Sequence, residues 1–329
     1  MEFTELARLA SGHVEARIIQ AAVQLGIFEA IGDASLDAQG TAASLGLDPR
    51  ATELILNALV ALELLVKQEN RFSLTPVAIK YLAKNSPHYL GGMIEFDASL
   101  WSCWEKLPHA LRSGKPVRAP DMYQGDVEET ATFIKGMDSL VRARGDAEIL
   151  SSALDWQSVT ELLDLGSGPA TYPIYLGQRF SHLRVTVFDL PGTMSLTRRY
   201  IREAGLEPRF KLVTGDYRVD PIPGTYDAVF MSNIIHGEGP EENQRLIAKL
   251  ISNLGPGGKL IIKDHILDAN RTHPAAGAIF SLLMLLTTES GRCYGFDEVI
   301  GWFNRAGLKN VKAIDLPLPL TSSLVVGEK

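Results

Sequence analysis

Residues able to bind a ligand or move a proton gather in the second half of this 329-residue chain. The run Glu161–Leu165 is apolar apart from Glu161 and Asp164, and it leads into Gly166-Ser167-Gly168-Pro169-Ala170-Thr171. A glycine turn that follows a strand and opens a helix brings backbone N–H groups close to a ligand. A second β-rich run, Val185–Asp189, closes on an acid 23 residues after Gly166, where it can meet ribose hydroxyls. A third, Phe210–Val213, leads into Gly215-Asp216-Tyr217, a carboxylate and an aromatic face at the neighbouring strand tip. Together they point to a nucleoside at the switch point of a parallel sheet. After a fourth run, Ala228–Ser232, comes His236. A histidine just past a strand's carboxyl end, beside such a crevice, can act as a general base. Spacing alone favours a structural or surface histidine over a catalytic one.

The identity of the nucleoside follows from what the loop lacks. A dinucleotide fingerprint requires a third glycine where this chain has Thr171, and Asp164, two residues before Gly166, would repel a pyrophosphate. A cationic ligand with an α-amino group would gain from Asp164, and S-adenosylmethionine carries both that amine and a sulfonium. With these motifs the chain resembles the class I S-adenosylmethionine-dependent methyltransferases. More narrowly, it resembles the small-molecule O-methyltransferases of the caffeate and acetylserotonin type, which carry an N-terminal winged-helix dimerisation domain. The resemblance spans essentially the whole chain, including the Leu254-Gly255-Pro256-Gly257-Gly258 turn. It implies S-adenosyl-L-methionine as cofactor, with Asp164, Gly166, Gly168 and their loop at the methionine moiety. It further implies Asp189 on the ribose, Asp216 and Tyr217 about the adenine, and Ser232 lining the cofactor.

The same resemblance makes His236 the catalytic base and Asp264 the acid that holds its other ring nitrogen. Family members usually follow this histidine with aspartate, whereas Gly237 stands here. A second acid is implied after the helix Ala275–Leu286. Its position falls on Cys293, so that acid is either missing or displaced to Glu289, and Glu289 is taken as the candidate. The chemistry suits such a set. A phenol titrates near ~10 and an imidazole near ~6.5, so a neutral ring can take the phenolic proton as the methyl arrives. The acceptor pocket is expected between residues 93–141 and 280–294. Met93, Phe96, Trp101, Phe133, Met137, Phe280, Met284 and Cys293 are available to line it, and Asn233 and Arg292 to hydrogen-bond the substrate. That apolar, sulfur-rich set suits a flat aromatic. No histidine, cysteine or acid spacing forms a metal-ligand cluster.

These residues must be positioned by an α/β sheet, since seven β-rich runs alternate with helix-length segments from Val159 onward. The runs not yet named are Lys259–Lys263, Val311–Asp315 and Ser323–Val326. The fold class expected is a Rossmann-like, mostly parallel seven-stranded sheet behind a mostly helical winged-helix domain. In the first half, apolar residues from Thr4 to about Ala30 recur at three- and four-residue steps. Thr41 is placed to cap a short helix to Leu45, and Asp48-Pro49 opens a longer one to about Leu65. A hairpin of Val66–Gln68 and Arg71–Leu74 turns on Glu69-Asn70, and Thr75-Pro76 starts another helix. This order predicts a winged-helix dimerisation domain over 1–90, a helical substrate-lining segment over 91–156, and the cofactor-binding domain over 157–329.

A winged helix can bind DNA, but charge argues against it here. Residues 1–90 hold 10 acids and 7 bases, a net of −3, and the would-be recognition helix carries Glu53 and Glu63. The whole chain, with 32 Lys+Arg against 39 Asp+Glu, carries −7 at pH 7, which excludes the basic field that nucleic acid or a membrane surface requires. Two distant cysteines suit a reducing compartment. The N-terminus lacks a continuous apolar region, and no run reaches the ~20 residues that span a bilayer, so a cytoplasmic protein is expected. The longest apolar run, Ala275–Leu286, reads as a buried helix. A homodimer acting on a small aromatic hydroxyl is the leading expectation. Methyl transfer to carbon or nitrogen, a nicotinamide oxidoreductase and a non-catalytic relic of the fold are the alternatives.

Overall fold

The computed structural model describes residues 2–329, which form two compact units. The first comprises residues 2–100 and 135–143. Its long helix Phe3–Gln24 ends where Gly26 takes a left-handed conformation (φ 74°), and a short helix, Ile27–Ile31, follows. The helix Ala38–Leu45 begins three residues earlier than expected. Asp37 rather than Thr41 caps it, accepting from the Gly40 N–H at 2.7 Å, while Thr41 is fully buried. The helix Pro49–Ala61 opens on Asp48, whose carboxylate accepts from the Ala51 N–H at 2.8 Å. Strands β1 (Leu36–Asp37), β2 (Leu65–Gln68) and β3 (Arg71–Leu74) make an antiparallel sheet in the order β1-β3-β2. The hairpin turns where expected, with Glu69 left-handed (φ 54°), and Thr75-Pro76 leads into the helix Pro76–Leu82. Ala22, Ile27, Phe28, Leu56, Leu59 and Phe72 fill the core of this unit. Outside that core the first helix leaves Phe3, Leu6, Leu9 and Val14 exposed.

The second unit, residues 101–134 and 144–329, contains a seven-stranded sheet. The segment between residues 91 and 156 is thus shared between the two units. The strands are β4 (Glu161–Leu165), β5 (Arg184–Asp189), β6 (Phe210–Thr214), β7 (Tyr226–Ser232), β8 (Leu254–Asp264), β9 (Lys309–Asp315) and β10 (Ser323–Glu328). Their order is β6-β5-β4-β7-β8-β10-β9. All neighbours run parallel except β10, which is antiparallel to both β8 and β9. The chain leaves β4 towards β5 and β6, then returns to β7 on β4's other side. That reversal opens a crevice at the carboxyl ends of β4 and β7, the place where such sheets bind ligands.

Two local readings differ from expectation. The Gly255–Gly258 segment does not merely precede a strand; it lies within β8, where the register against β7 shifts and Gly257 turns left-handed (φ 72°). The helix Ala275–Thr287 buries Met284 and Leu286 but leaves Ile279 exposed, so only one side of it is core. On one face of the main sheet Leu163, Leu165, Val229, Met231, Leu260 and Ile262 build a continuous core with Trp302 and Phe303. The other face carries Asp164, Phe230 and Lys263, because side chains alternate along each strand.

Candidate active site

The glycine loop leaves β4 with Gly166 at φ 65° and Gly168 at φ 58°, conformations that an L side chain adopts at a cost. A Cβ on Gly166 would overlap the terminal methyl of Ile234, so a side chain there would have to displace Ile234 in addition to straining the loop. The Gly166 N–H bonds the Phe188 carbonyl at 2.8 Å, and the Gly168 N–H donates to Asp189 Oδ2 at 2.7 Å. Thr197 Oγ1 in turn donates to the Gly168 carbonyl at 2.6 Å, which pins the loop from the helix Pro191–Glu203. Thus the loop and the end of β5 form one hydrogen-bonded unit.

Two buried acids face this unit. Burial raises the Asp164 carboxyl to about 7, and the Asp189 charge adds to the rise, while a hydrogen bond from Ser167 opposes it. Burial also raises Asp189 to about 6, against the lowering effect of the Gly168 and Leu190 N–H groups. Two carboxyls that resist ionisation for want of a counter-charge suit a cationic ligand, whose arrival would hold them ionised. Ser232 Oγ, at the end of β7, is buried without a hydrogen bond, a further polar group awaiting a partner. These residues fit S-adenosylmethionine. Asp216 is drawn elsewhere: burial raises its carboxyl, but the Arg218 guanidinium that grips it at 2.9–3.1 Å outweighs this and leaves it below the usual range. Tyr217 is buried in the core, its hydroxyl donating to Glu238 Oε1 at 2.8 Å.

His236 lies in a single 3₁₀ turn, Ile235–Gly237, that follows β7. Asn233 makes that turn possible by adopting φ 57°, and its N–H bonds the Lys263 carbonyl on β8 at 2.8 Å. The adjoining Asp264 then meets His236: Nδ1 to Oδ1 is 2.7 Å, and the His236 backbone N–H reaches Oδ2 at 3.4 Å. Asp264 also accepts from the His265 N–H at 2.7 Å. Burial pushes the Asp264 carboxyl up, but the His236 charge and hydrogen bond, with the contributions of His265, prevail and leave it below its ordinary value. An ionised Asp264 requires a proton on Nδ1, so the neutral ring presents Nε2 as an acceptor. No described residue hydrogen-bonds Nε2. Phe280 packs edge-on against the ring, with 4.8 Å between centroids.

The remaining expectations are placed as follows. Glu289 is exposed in the loop after the helix Ala275–Thr287. Cys293 is buried with its thiol pushed up to about 12, chiefly by burial, and is no substitute for an acid. A Cβ at Gly237 would make ordinary van der Waals contact with Met122, 3.8 Å away, so a side chain there is not sterically barred. Arg292 pairs with Glu298 at 2.7 Å and stacks over Tyr294. Trp101, Phe133, Phe280, Met284 and Cys293 belong to the second unit, Met93, Phe96 and Met137 to the first. Among the described residues no group of His, Cys, Asp and Glu could hold a metal ion, and no helix is long and apolar enough to cross a membrane.

Some residues escaped the sequence reading. Gln124 accepts from the Gly192 N–H at 3.0 Å and donates to Thr193 at 3.1 Å, tying the loop before Val127 to the first turn of the helix Pro191–Glu203. Tyr123 in the same loop stacks on Phe133 at 4.5 Å and lies beneath Arg118. No motif marks that loop. Lys263 did carry a signal, a lysine closing the apolar run Leu260-Ile261-Ile262, and it is fully buried.

A parallel sheet with a glycine loop at its switch point and a histidine–carboxylate pair beside it defines a methyltransferase of the Rossmann-like class. Residues 112–309 match the O-methyltransferase domain, and residues 7–84 the O-methyltransferase dimerisation domain. The chain is 31% identical to the 3-hydroxy-5-methyl-1-naphthoate 3-O-methyltransferase of Streptomyces sahachiroi, over 99% of this chain and 95% of the relative. It is 30% identical to the tetracenomycin polyketide synthesis 8-O-methyl transferase TcmO of Streptomyces glaucescens, over 99% and 96%. The solved structure of human N-acetylserotonin methyltransferase in complex with SAM superposes with a TM-score of 0.90 at 21% identity, covering 99% of this chain and 97% of that one. The chain therefore belongs to the S-adenosylmethionine-dependent O-methyltransferase family.

Cofactor affinity should depend on pH through Asp164 and Asp189. Both carboxyls take up protons as pH falls through about 7 and about 6, and a protonated carboxyl neither holds the α-ammonium, as Asp164 would, nor accepts as strongly from ribose hydroxyls, as Asp189 would. Calorimetric titration with S-adenosylhomocysteine should find affinity reduced by roughly ten- to a hundredfold between pH 8 and 5.5. A flat profile would show that neither acid is coupled to the ligand.

Proposed function

We propose that this enzyme methylates a hydroxyl of a small aromatic molecule, with His236 as general base and Asp264 as its orienting acid. The observation that carries this reading is the 2.7 Å contact between Nδ1 and Asp264, which leaves Nε2 free to accept a proton. When bound, S-adenosylmethionine supplies an electrophilic methyl group on a sulfonium. The chain's own residues do the rest. Asp164 and the Gly166–Gly168 loop receive the amino-acid end, Asp189 accepts from ribose hydroxyls, and Ser232 lines the cleft between them. His236 Nε2 takes the hydroxyl proton as the oxygen becomes a nucleophile. Asp264 stabilises the imidazolium that results, a role its burial strengthens because little water screens the pair. Phe280, edge-on to His236, offers an apolar wall beside the acceptor oxygen, suited to an aromatic ring. The two Streptomyces relatives are named for hydroxyl methylation of a naphthoate and of a polyketide, which supports a fused or single aromatic acceptor.

The dimerisation match over residues 7–84 supports a homodimer, and the exposed Phe3, Leu6, Leu9 and Val14 of the first helix give it apolar surface to bury. Sedimentation at micromolar concentration should give a dimer, and Leu6→Asp with Leu9→Asp should shift the mass towards monomer. A wild-type monomer would refute the assembly.

Catalysis is tested by release of S-adenosylhomocysteine over a panel of aromatic hydroxyl compounds. His236→Ala should cost about 10²–10⁴-fold in kcat while leaving S-adenosylhomocysteine affinity within about twofold. Asp264→Asn should lower kcat as well, and Glu289→Gln should leave it unchanged. Full turnover by a His236→Ala enzyme that binds cofactor would overturn the base assignment.

A further inference from the structure

Behind the cofactor crevice lies a buried charge cluster that the transfer reaction does not use. Lys263 is fully buried at the end of β8, and its ammonium lies 3.5 Å from Asp146 Oδ2. It also stands over the Tyr172 ring, 5.3 Å from the centroid. Asp146, itself fully buried at the start of the helix Asp146–Ala153, accepts from Arg144 Nε and Nη2 at 3.0 and 2.7 Å and from the Tyr172 hydroxyl at 3.0 Å. Burying a lysine in a strand of isoleucine and leucine is costly, and the ion pair with Asp146 and the Tyr172 ring offset only part of that cost, since the ammonium makes no hydrogen bond. An apolar residue of similar volume would pack the same space without that cost. The cluster therefore needs an explanation other than stability.

Its connections suggest one. Tyr172 lies in the helix Thr171–Arg179, directly after the glycine loop, and packs edge-on against Phe230 of β7 at 5.5 Å. Lys263 is the register partner of Ser232 on the parallel neighbour β7, so their side chains leave the sheet on the same face. The Lys263 carbonyl receives the Asn233 N–H that starts the His236 turn, and the next residue is Asp264. One residue thus joins the glycine-loop helix, the Ser232 end of β7 and the strand that presents Asp264.

We propose that Lys263, held by Asp146 and Tyr172, is a positioning residue that fixes the cofactor floor against the His236–Asp264 pair. Its contacts in the structure are with Asp146 and Tyr172. Its ion pair with Asp146 keeps the helix after the glycine loop in register with the ends of β7 and β8. The inference rests on the proposed reading of the site, but its first readout, cofactor binding, does not involve His236. Failure of the base assignment would appear as activity of His236→Ala; failure of this proposal would appear in S-adenosylhomocysteine affinity.

The test is a double-mutant cycle on the full-length enzyme, using Lys263→Met, Asp146→Asn and the combination. Each single variant should weaken S-adenosylhomocysteine binding about tenfold and raise the KM for S-adenosylmethionine, with the KM for the acceptor unchanged. The double variant should bind no more weakly than the poorer single one, because both remove the same contact. A structural filler would change the melting temperature while leaving affinity intact. Wild-type affinity in Lys263→Met, or effects that simply add, would overturn the proposal. If the charge variants do not fold, Tyr172→Phe removes one hydroxyl alone. It should still lower affinity by about threefold, and unchanged affinity in that variant would equally overturn the proposal.

Discussion

A carboxylate with almost no access to water stays ionised only where donors or a positive charge surround it. Asp264 meets that condition at the end of β8, with the His236 ring on one side and two backbone N–H groups beside it. This contact constrains much around it. It sets the tautomer of His236, so that the free nitrogen is the one able to accept a proton. It also requires β7 and β8 to be parallel neighbours whose ends stop at the same height. The register Ser232↔Lys263 provides that, and the positive φ of Asn233 bends the chain back so that His236 returns to β8. A tight turn after β7 is therefore what brings His236 to Asp264.

The cofactor side follows a related rule. Asp164 and Asp189 are buried and raised, whereas Asp264 is buried and lowered. The difference lies in the partners: the first two have only neutral donors near them, and the third has a histidine. One part of the crevice thus lacks a counter-charge, as the receiver of a cationic ligand should. The other is complete without ligand and ready to stabilise a charge that forms during reaction.

Much of this was legible in the sequence. The seven strands and the glycine loop could be read because apolar runs end in residues with few other uses, such as Gly166, Gly168 and Asp189, whereas the order of the strands in the sheet could not. The hairpin over Glu69-Asn70 and the Asp48-Pro49 helix start were legible from local chemistry alone. Thr41 was misjudged as a cap because a threonine before an apolar run carries the same signal whether it stands at the helix start or one turn inside; Asp37 won by reaching the Gly40 N–H. Glu289 is legible only by its type and its place in sequence, since it lies exposed in a loop. The Gln124 loop and the Lys263–Asp146 contact were invisible for another reason. They join segments 69 and 117 residues apart, and such pairings are properties of the packed chain, not of any window along it. The helix Val127–Arg144 gives its beginning to one unit and most of its second half to the other.

The account depends on which nitrogen of His236 carries the proton in the resting enzyme. Nitrogen-detected two-bond proton correlation NMR on ¹⁵N-histidine-labelled protein, saturated with S-adenosylhomocysteine at slightly alkaline pH, reads this directly. His236 is assigned as the signal lost in His236→Ala. The expected spectrum shows a neutral ring with a protonated Nδ1 and a bare Nε2. A ring protonated at Nε2, with Nδ1 bare, would mean that Asp264 does not hold His236 as a base, and would contradict the mechanism at its centre.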